Sequence, residues 1–302
     1  MLNGQWRLDY PGTSFAFGGW DPAANPFRLP GPIGLRAAPV VGDVEIATDD
    51  TARPRTDGYA MGADYRGGRT VGFSLACRAS SEGDVLALAS TVATAWRGDT
   101  IRRVPGAYAS LATENAGRQR MLFGRPRRFV LNDDFRKQGL VTIECDFQTM
   151  DDRFYAHDDT GISLALVNTP TTGIVFPATA PITTTATTET PGSIVVGGEL
   201  PVWPVVSIRG PITNPVVTVA GQWSLSLAMT IIAGATITID TRPWVRSVTS
   251  NAGSSWAGYL TRQSRMDRSS LNPGAYAVTL AGVDNTGLSS TQFSWRHAYA
   301  GL

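Results

Sequence analysis

Residues 71 to 77 alternate without a break, with Val71, Phe73, Leu75 and Cys77 on one side and Gly72, Ser74 and Ala76 on the other. A period of two belongs to a strand that buries one face. Leu140 to Thr149 repeats the pattern, setting Val141, Ile143, Cys145 and Phe147 against Thr142, Glu144, Asp146 and Gln148. Segments of this kind have to be assembled into a sheet with a core on one side, and 32 Gly and 19 Pro supply the turns that short strands need. Over 302 residues, 42% hydrophobic and 17% charged composition is too apolar for disorder and sufficient for two ordinary cores. The expected class is mainly β.

Ser81 precedes Asp84 at capping-box spacing, Val85, Leu88, Val92 and Trp96 share one helical face, and Gly98 offers a stop. This predicts one α-helix, lying on a sheet. Ala107 to Thr113 and Arg118 to Gly124 flank Glu114-Asn115-Ala116-Gly117 and predict a hairpin. The first 70 residues, with Trp6, Tyr10, Phe15, Phe17, Trp20 and Phe27 among turn signals, predict short strands joined by long loops. Alternation stops at Met150-Asp151-Asp152-Arg153-Phe154-Tyr155, which sets a domain boundary after residue 155. Beyond it, about 168–204 is Thr- and Pro-rich, including Thr183 to Thr188, and reads as a linker or long exposed hairpin. Short strands follow at Val205 to Arg209, Val216 to Val219, Trp223 to Ile231, Thr236 to Asp240, Val245 to Thr249, Tyr276 to Leu280 and Gln292 to Trp295. Their spacing predicts a β-sandwich over 156–302, able to fold by itself.

The chain carries 26 basic and 25 acidic residues, a net charge of +1, so no global field draws in nucleic acid or an anionic membrane. Protein partners are expected. No signal-peptide pattern opens the sequence and no apolar run approaches the roughly 18 residues of a membrane helix, which predicts a soluble chain assembled in the cytoplasm. Lys137 is the sole lysine among abundant Arg, Ala, Gly and Thr, a composition that points to a GC-rich genome.

Catalytic chemistry finds little footing. His157 and His297 are the only histidines, and no zinc-type spacing exists. Asp49-Asp50, Asp133-Asp134, Asp151-Asp152 and Asp158-Asp159 are adjacent carboxylates, but strand neighbours point to opposite faces, so these read as turn and strand-end residues. Cys77 and Cys145 sit in apolar phases and read as buried free thiols. Gly253-Ser254-Ser255-Trp256-Ala257-Gly258 lacks the spacing of a nucleophile elbow, and Gly67-Gly68-Arg69, ahead of a strand, is no phosphate loop. No catalytic, cofactor-binding or metal-binding residue is assigned, and no cofactor is expected. Arg125-Pro126-Arg127-Arg128, with Arg136 and Lys137, forms a basic cluster read as a hairpin edge or protein interface, with transient DNA contact as the other reading. Of Trp203, Trp223, Trp244, Trp256 and Trp295, at least three are expected in the core, while Trp244 and Trp256 stay open as sugar-stacking platforms.

Three stretches together resemble the distal tail protein (Dit) family of siphophages. They are Asp57-Gly58-Tyr59 through Asp64-Tyr65-Arg66-Gly67-Gly68-Arg69-Thr70-Val71, similar to a loop entering a core strand; Phe147 to Tyr155, similar to the close of the N-terminal domain; and Trp203-Pro204 with Ile208 to Pro215 and Ile239-Asp240-Thr241-Arg242-Pro243, similar to the C-terminal domain. The resemblance spans nearly the whole chain. It implies a tail-tube-like N-terminal domain over 1–155 that closes into a hexameric ring, and a galectin-like sandwich over 156–302. It also implies a structural subunit of the virion at the tail tip, with no active site. The implied partners are the tail tube protein, the tape-measure protein that threads the ring, and the tail-tip hub. The alternative is a carbohydrate-binding adhesin that contacts a host surface glycan; a cell-wall hydrolase would need an acid, base or metal set that the sequence lacks.

Overall fold

The alternating runs are strands in the computed structural model, which describes residues 1–18, 32–166, 191–284 and 286–302. Trp20, Phe27 and the Thr183 to Thr188 run lie outside the described residues. With 54% of residues in strands and 11% helical, the chain is mainly β. It divides into two compact units, 1–157 with 299–302, and 158–298.

Unit 1 is one antiparallel sheet in the order Thr13–Gly18, Gln5–Tyr10, Ala109–Asn115, Arg118–Asn132, Leu140–Thr149, Asp64–Arg78 and Ile33–Leu35. Val40–Thr48 adds to the outer half of Asp64–Arg78. The two ends curl together until a Cβ on Gly18 would stand 2.9 Å from Leu35 Cδ1. The result is a nearly closed barrel. Helix α1, Glu82–Arg97, packs one face on this sheet, as the periodicity predicts. Ser81 Oγ accepts from Asp84 N at 3.1 Å, Gly98 ends the helix at φ 59°, and Val85, Ala89, Val92 and Trp96 are buried. The Trp96 ring meets Phe17 and Phe73 edge-on, each at 5.9 Å, and its Nε1 donates to Asp146 O at 3.1 Å.

The predicted hairpin is present with a shorter turn. Glu114 and Asn115 stay in the strand and the loop is Ala116-Gly117, at φ 51° and 78°, the pairing that matches strand twist. Arg118–Asn132 runs well past Gly124 because Pro126 sits at a register shift, where the missing N–H costs no ladder bond. Asp64 to Thr70, similar in sequence to a loop, is the first half of a 15-residue strand. Gly68 within it serves no turn: a Cβ there would lie 2.0 Å from Thr149 O, so glycine permits the close approach.

Unit 2 is a sandwich of two sheets. One runs Thr160–Ala165, Ser290–Trp295, Val205–Arg209, Thr236–Asp240 and Ser247–Ser250. The other runs Gly192–Val196, Gly274–Val283, Ile212–Val219 and Trp223–Ser226, with Thr230–Ile231 also on Ile212–Val219. Trp223–Ile231 is therefore two strands rather than one. Val206, Ile208, Ile239 and Phe293 from one sheet and Val217, Leu225 and Val278 from the other are fully buried. The Trp223 ring stacks across on Phe293 at 6.1 Å. Gly192–Val196, inside the Thr/Pro-rich stretch, is a paired strand.

Candidate assembly surface

The residues that could carry chemistry are mostly committed to structure. Cys77 and Cys145 are free and buried; burial pushes the Cys77 thiol up to about 11 and the Cys145 thiol up as well, so neither is a nucleophile near neutral pH. His297 Nδ1 accepts from Gly197 N at 2.9 Å, fixing a turn in unit 2. Asp133 pairs with Arg136 at 2.7 Å, Asp158 and Asp159 are exposed, and Asp49 and Asp50 are exposed on a strand ribbon of unit 1. Among the described residues no group of three or more His, Cys, Asp or Glu could hold a metal ion, and no helix is long and apolar enough to cross a membrane.

Asp151 and Asp152 part company despite adjacency. Tyr155 donates its hydroxyl proton to Asp151 Oδ2, and burial raises Asp151 to about 6. Asp152 faces Arg66 Nη1 at 3.3 Å, while its carbonyl accepts from Arg69 Nη2 at 2.7 Å. The basic cluster also disperses. Arg125 is spent on backbone carbonyls, donating from Nε to Ala107 O at 2.6 Å and from Nη2 to Val104 O at 2.7 Å. Arg136 is held by Asp133 and by Glu82 at 2.9 Å. Arg127, Arg128 and Lys137 remain exposed. Of the tryptophans, Trp295 is buried and Trp203, Trp223, Trp244 and Trp256 are half-buried; Trp223 Nε1 donates to Ser270 O at 3.2 Å, whereas Trp256 lies tilted against exposed Tyr259 at 5.1 Å.

Two features left over are both in unit 1. The first is an arm. Val40–Thr48 and the outer part of Asp64–Arg78 pair from Val40↔Gly72 to Thr48↔Asp64, and Thr51–Ala52 with Tyr59–Ala60 carries the ribbon onward. From Gly72 to Asp64 the ribbon extends about 26 Å at the usual rise per residue. Every residue from 45 to 66 is exposed, including Ile46, Tyr59, Met61 and Tyr65, with Met61 81% accessible. Leaving such side chains wet forgoes roughly 1.5–3 kcal/mol each that burial would supply. The arm's root is secured: Thr149 Oγ1 accepts from Arg69 N at 2.8 Å, and the Arg69 guanidinium lies over the Phe154 ring at 5.2 Å.

The second is a groove of about 510 Å³ on the outer face of the sheet, lined by Arg36, Arg78, Asn132, Phe135 and Leu140 among others. Register assembles most of it, since Leu140 pairs with Arg78 and Thr142 with both Ala76 and Asn132. Arg36 and Arg78 are exposed, and neither guanidinium has an ion-pair or hydrogen-bond partner among the described residues. Neither residue stood out in the sequence, because they are far apart along the chain and each alone is an ordinary surface arginine.

No protein-family profile matches the chain. No curated protein matches it either. Solved structures do share its fold. A chain of the phage P2 baseplate in its activated conformation with calcium is similar at a TM-score of 0.55 and 12% identity, over 98% of this chain and 98% of that one. The same baseplate with strontium gives 0.53 and 12%, over 96% and 97%. The crystal structure of SPP1 Dit, described as a paradigm of the hub adsorption apparatus in phages that infect Gram-positive bacteria, matches at 0.53 and 11% identity, over 97% of this chain and 98% of that one.

Proposed function

We propose that the chain is a structural, non-enzymatic distal tail protein of a long-tailed bacteriophage, a virion component at the tail tip. In this reading six copies close into a ring that joins the tail tube to the tip or baseplate hub. Unit 1 forms the ring in the manner of a tail-tube domain, unit 2 is a galectin-like sandwich, and the tape-measure protein threads the opening. Assembly takes place in the host cytoplasm, and DNA touches the ring only in transit. One observation carries the reading: the likeness to SPP1 Dit runs end to end through both units, instead of through one widely shared β domain. The exposed arm agrees with it, since Ile46, Tyr59, Met61 and Tyr65 grouped on one exposed ribbon are what a surface for another protein looks like.

Light scattering with negative-stain imaging of the purified chain tests the ring. Six copies of the 32.2 kDa chain give a particle of about 193 kDa with a central opening. A species of 32.2 kDa at every concentration would overturn ring formation by the chain alone. The Trp256 and Tyr259 pair, with Tyr259 48% accessible, favours a second reading in which unit 2 binds host glycans by ring stacking. Glycan-array binding that vanishes in Trp256→Ala would support that reading; an array without signal would remove it.

A further inference from the structure

Resting on the ring reading, we propose that the arm of one copy seats in the Arg36–Arg78 groove of the next copy. Charge selects the occupant. Between 43 and 64 the arm carries Asp43, Glu45, Asp49, Asp50, Asp57 and Asp64 against only Arg53 and Arg55, and none of them is in an ion pair among the described residues. The groove offers the complement: two guanidiniums without partners, flanking an apolar floor of Ala76, Phe135 and Leu140. Its nearest acid in the strand register, Glu144, is occupied by Ser74 Oγ at 2.7 Å. Tyr59 and Met61, bracketed by Asp57 and Asp64, supply side chains for the floor and carboxylates for the rim in one short segment. Guanidinium and carboxylate pair with directional, charge-assisted bonds, so the seat fixes register as well as contact.

Geometry decides between self-contact and a neighbour. Arm and groove lie toward opposite ends of the same strand, Asp64 at one end and Arg78 at the other, on the order of 45 Å apart along an extended chain. The arm's ladder holds it pointing away from its own groove. A surface at one end that matches a different surface at the other end is a head-to-tail contact, and head-to-tail contacts close into rings when the rotation allows.

The test measures solution mass for the full chain and three variants, with circular dichroism to verify folding. Groove reversal, Arg36→Glu with Arg78→Glu, should lose the oligomer and leave a 32.2 kDa species. Arm reversal, Asp57→Lys with Asp64→Lys, should do the same. Mixing the two reversed proteins should restore assembly, because each arm then meets a groove of opposite sign, as should one chain carrying all four changes. In parallel, Met61→Cys mixed with Arg78→Cys and oxidised by dissolved oxygen should give an intermolecular disulfide, the native cysteines being buried. Groove reversal that leaves the oligomer intact, with no cross-link, overturns the inference while the ring reading stands. A wild-type chain that never assembles overturns the ring reading and takes the inference with it.

Discussion

Trp96 joins the helix to the barrel through three kinds of interaction at once. Its ring is 1% accessible, lies edge-on to Phe17 and Phe73, and hands its N–H to the carbonyl of Asp146. Trp96→Ala removes area, ring contacts and that bond together, leaving a cavity in a barrel that cannot collapse freely; the expected loss is about 3–5 kcal/mol, read from the denaturant midpoint of unit 1. An unchanged midpoint would mean that the helix contributes no stability to the barrel. Asp151 acts in the opposite sense. Its carboxyl is raised from 3.8 to about 6 by burial, so the folded state holds a proton that the unfolded state releases. Between these values stability falls as pH rises, and above about 6 the ionised group continues to cost the fold. Asp151→Asn keeps an oxygen for the Tyr155 hydroxyl and removes the charge. It is expected to gain roughly 2–3 kcal/mol at pH 7 and to flatten the stability profile between pH 4 and 6. A profile that keeps its slope would assign the titration to another group.

At the level of elements, legibility followed how many neighbours a strand has. Leu140–Thr149 and the inner half of Asp64–Arg78 are flanked on both sides in the barrel, bury a clean alternating face, and were plain in the sequence. Thr160–Ala165 and Gly192–Val196 are edge strands of the sandwich, each with one partner, and their outward residues carry no pattern that separates them from a Thr-rich linker. The continuation of Arg118–Asn132 past Gly124 was not legible because the register shift beside Pro126 is a property of pairing with Leu140–Thr149, not of its own segment. The groove was illegible for a related reason: Arg78 comes from a strand, Arg36 from the residue after Ile33–Leu35, and Phe135 from the turn before Leu140–Thr149, so only the folded sheet brings them together. The arm has little support, with both faces wet over 45–66, and such ribbons open easily. Hydrogen exchange should find amides 45–66 unprotected in dilute, monomeric protein and protected after assembly, while those of Leu140–Thr149 stay slow in both. Equal protection of the arm in the two states would mean that nothing docks on it.

Across the whole molecule, the division at 157/158 gives each unit its own core, which makes cooperativity testable. Unit 1 closes around Trp6, Phe17, Phe73 and Trp96. Unit 2 has its own polar lock. The Asp240 carboxylate is bracketed by Arg242, whose Nε lies 2.9 and 3.1 Å from its two oxygens, and Thr241 Oγ1 donates to Pro204 O at 2.7 Å. Two segments of the third stretch that resembles distal tail proteins, Trp203-Pro204 and Ile239 to Pro243, therefore touch through this lock. Asp240 is only 6% accessible and accepts from both Arg242 N and Arg242 Nε, so Asp240→Ala removes a nearly buried carboxylate with its charge-assisted bonds and should cost unit 2 about 3 kcal/mol. Calorimetry of the full chain below its assembly concentration should resolve two transitions. Asp240→Ala should lower one and leave the other in place, and Trp96→Ala should do the reverse, because neither change touches the other core. If instead one transition shifts as a whole in both variants, the two cores unfold as a single cooperative block, and a sandwich able to fold by itself is ruled out.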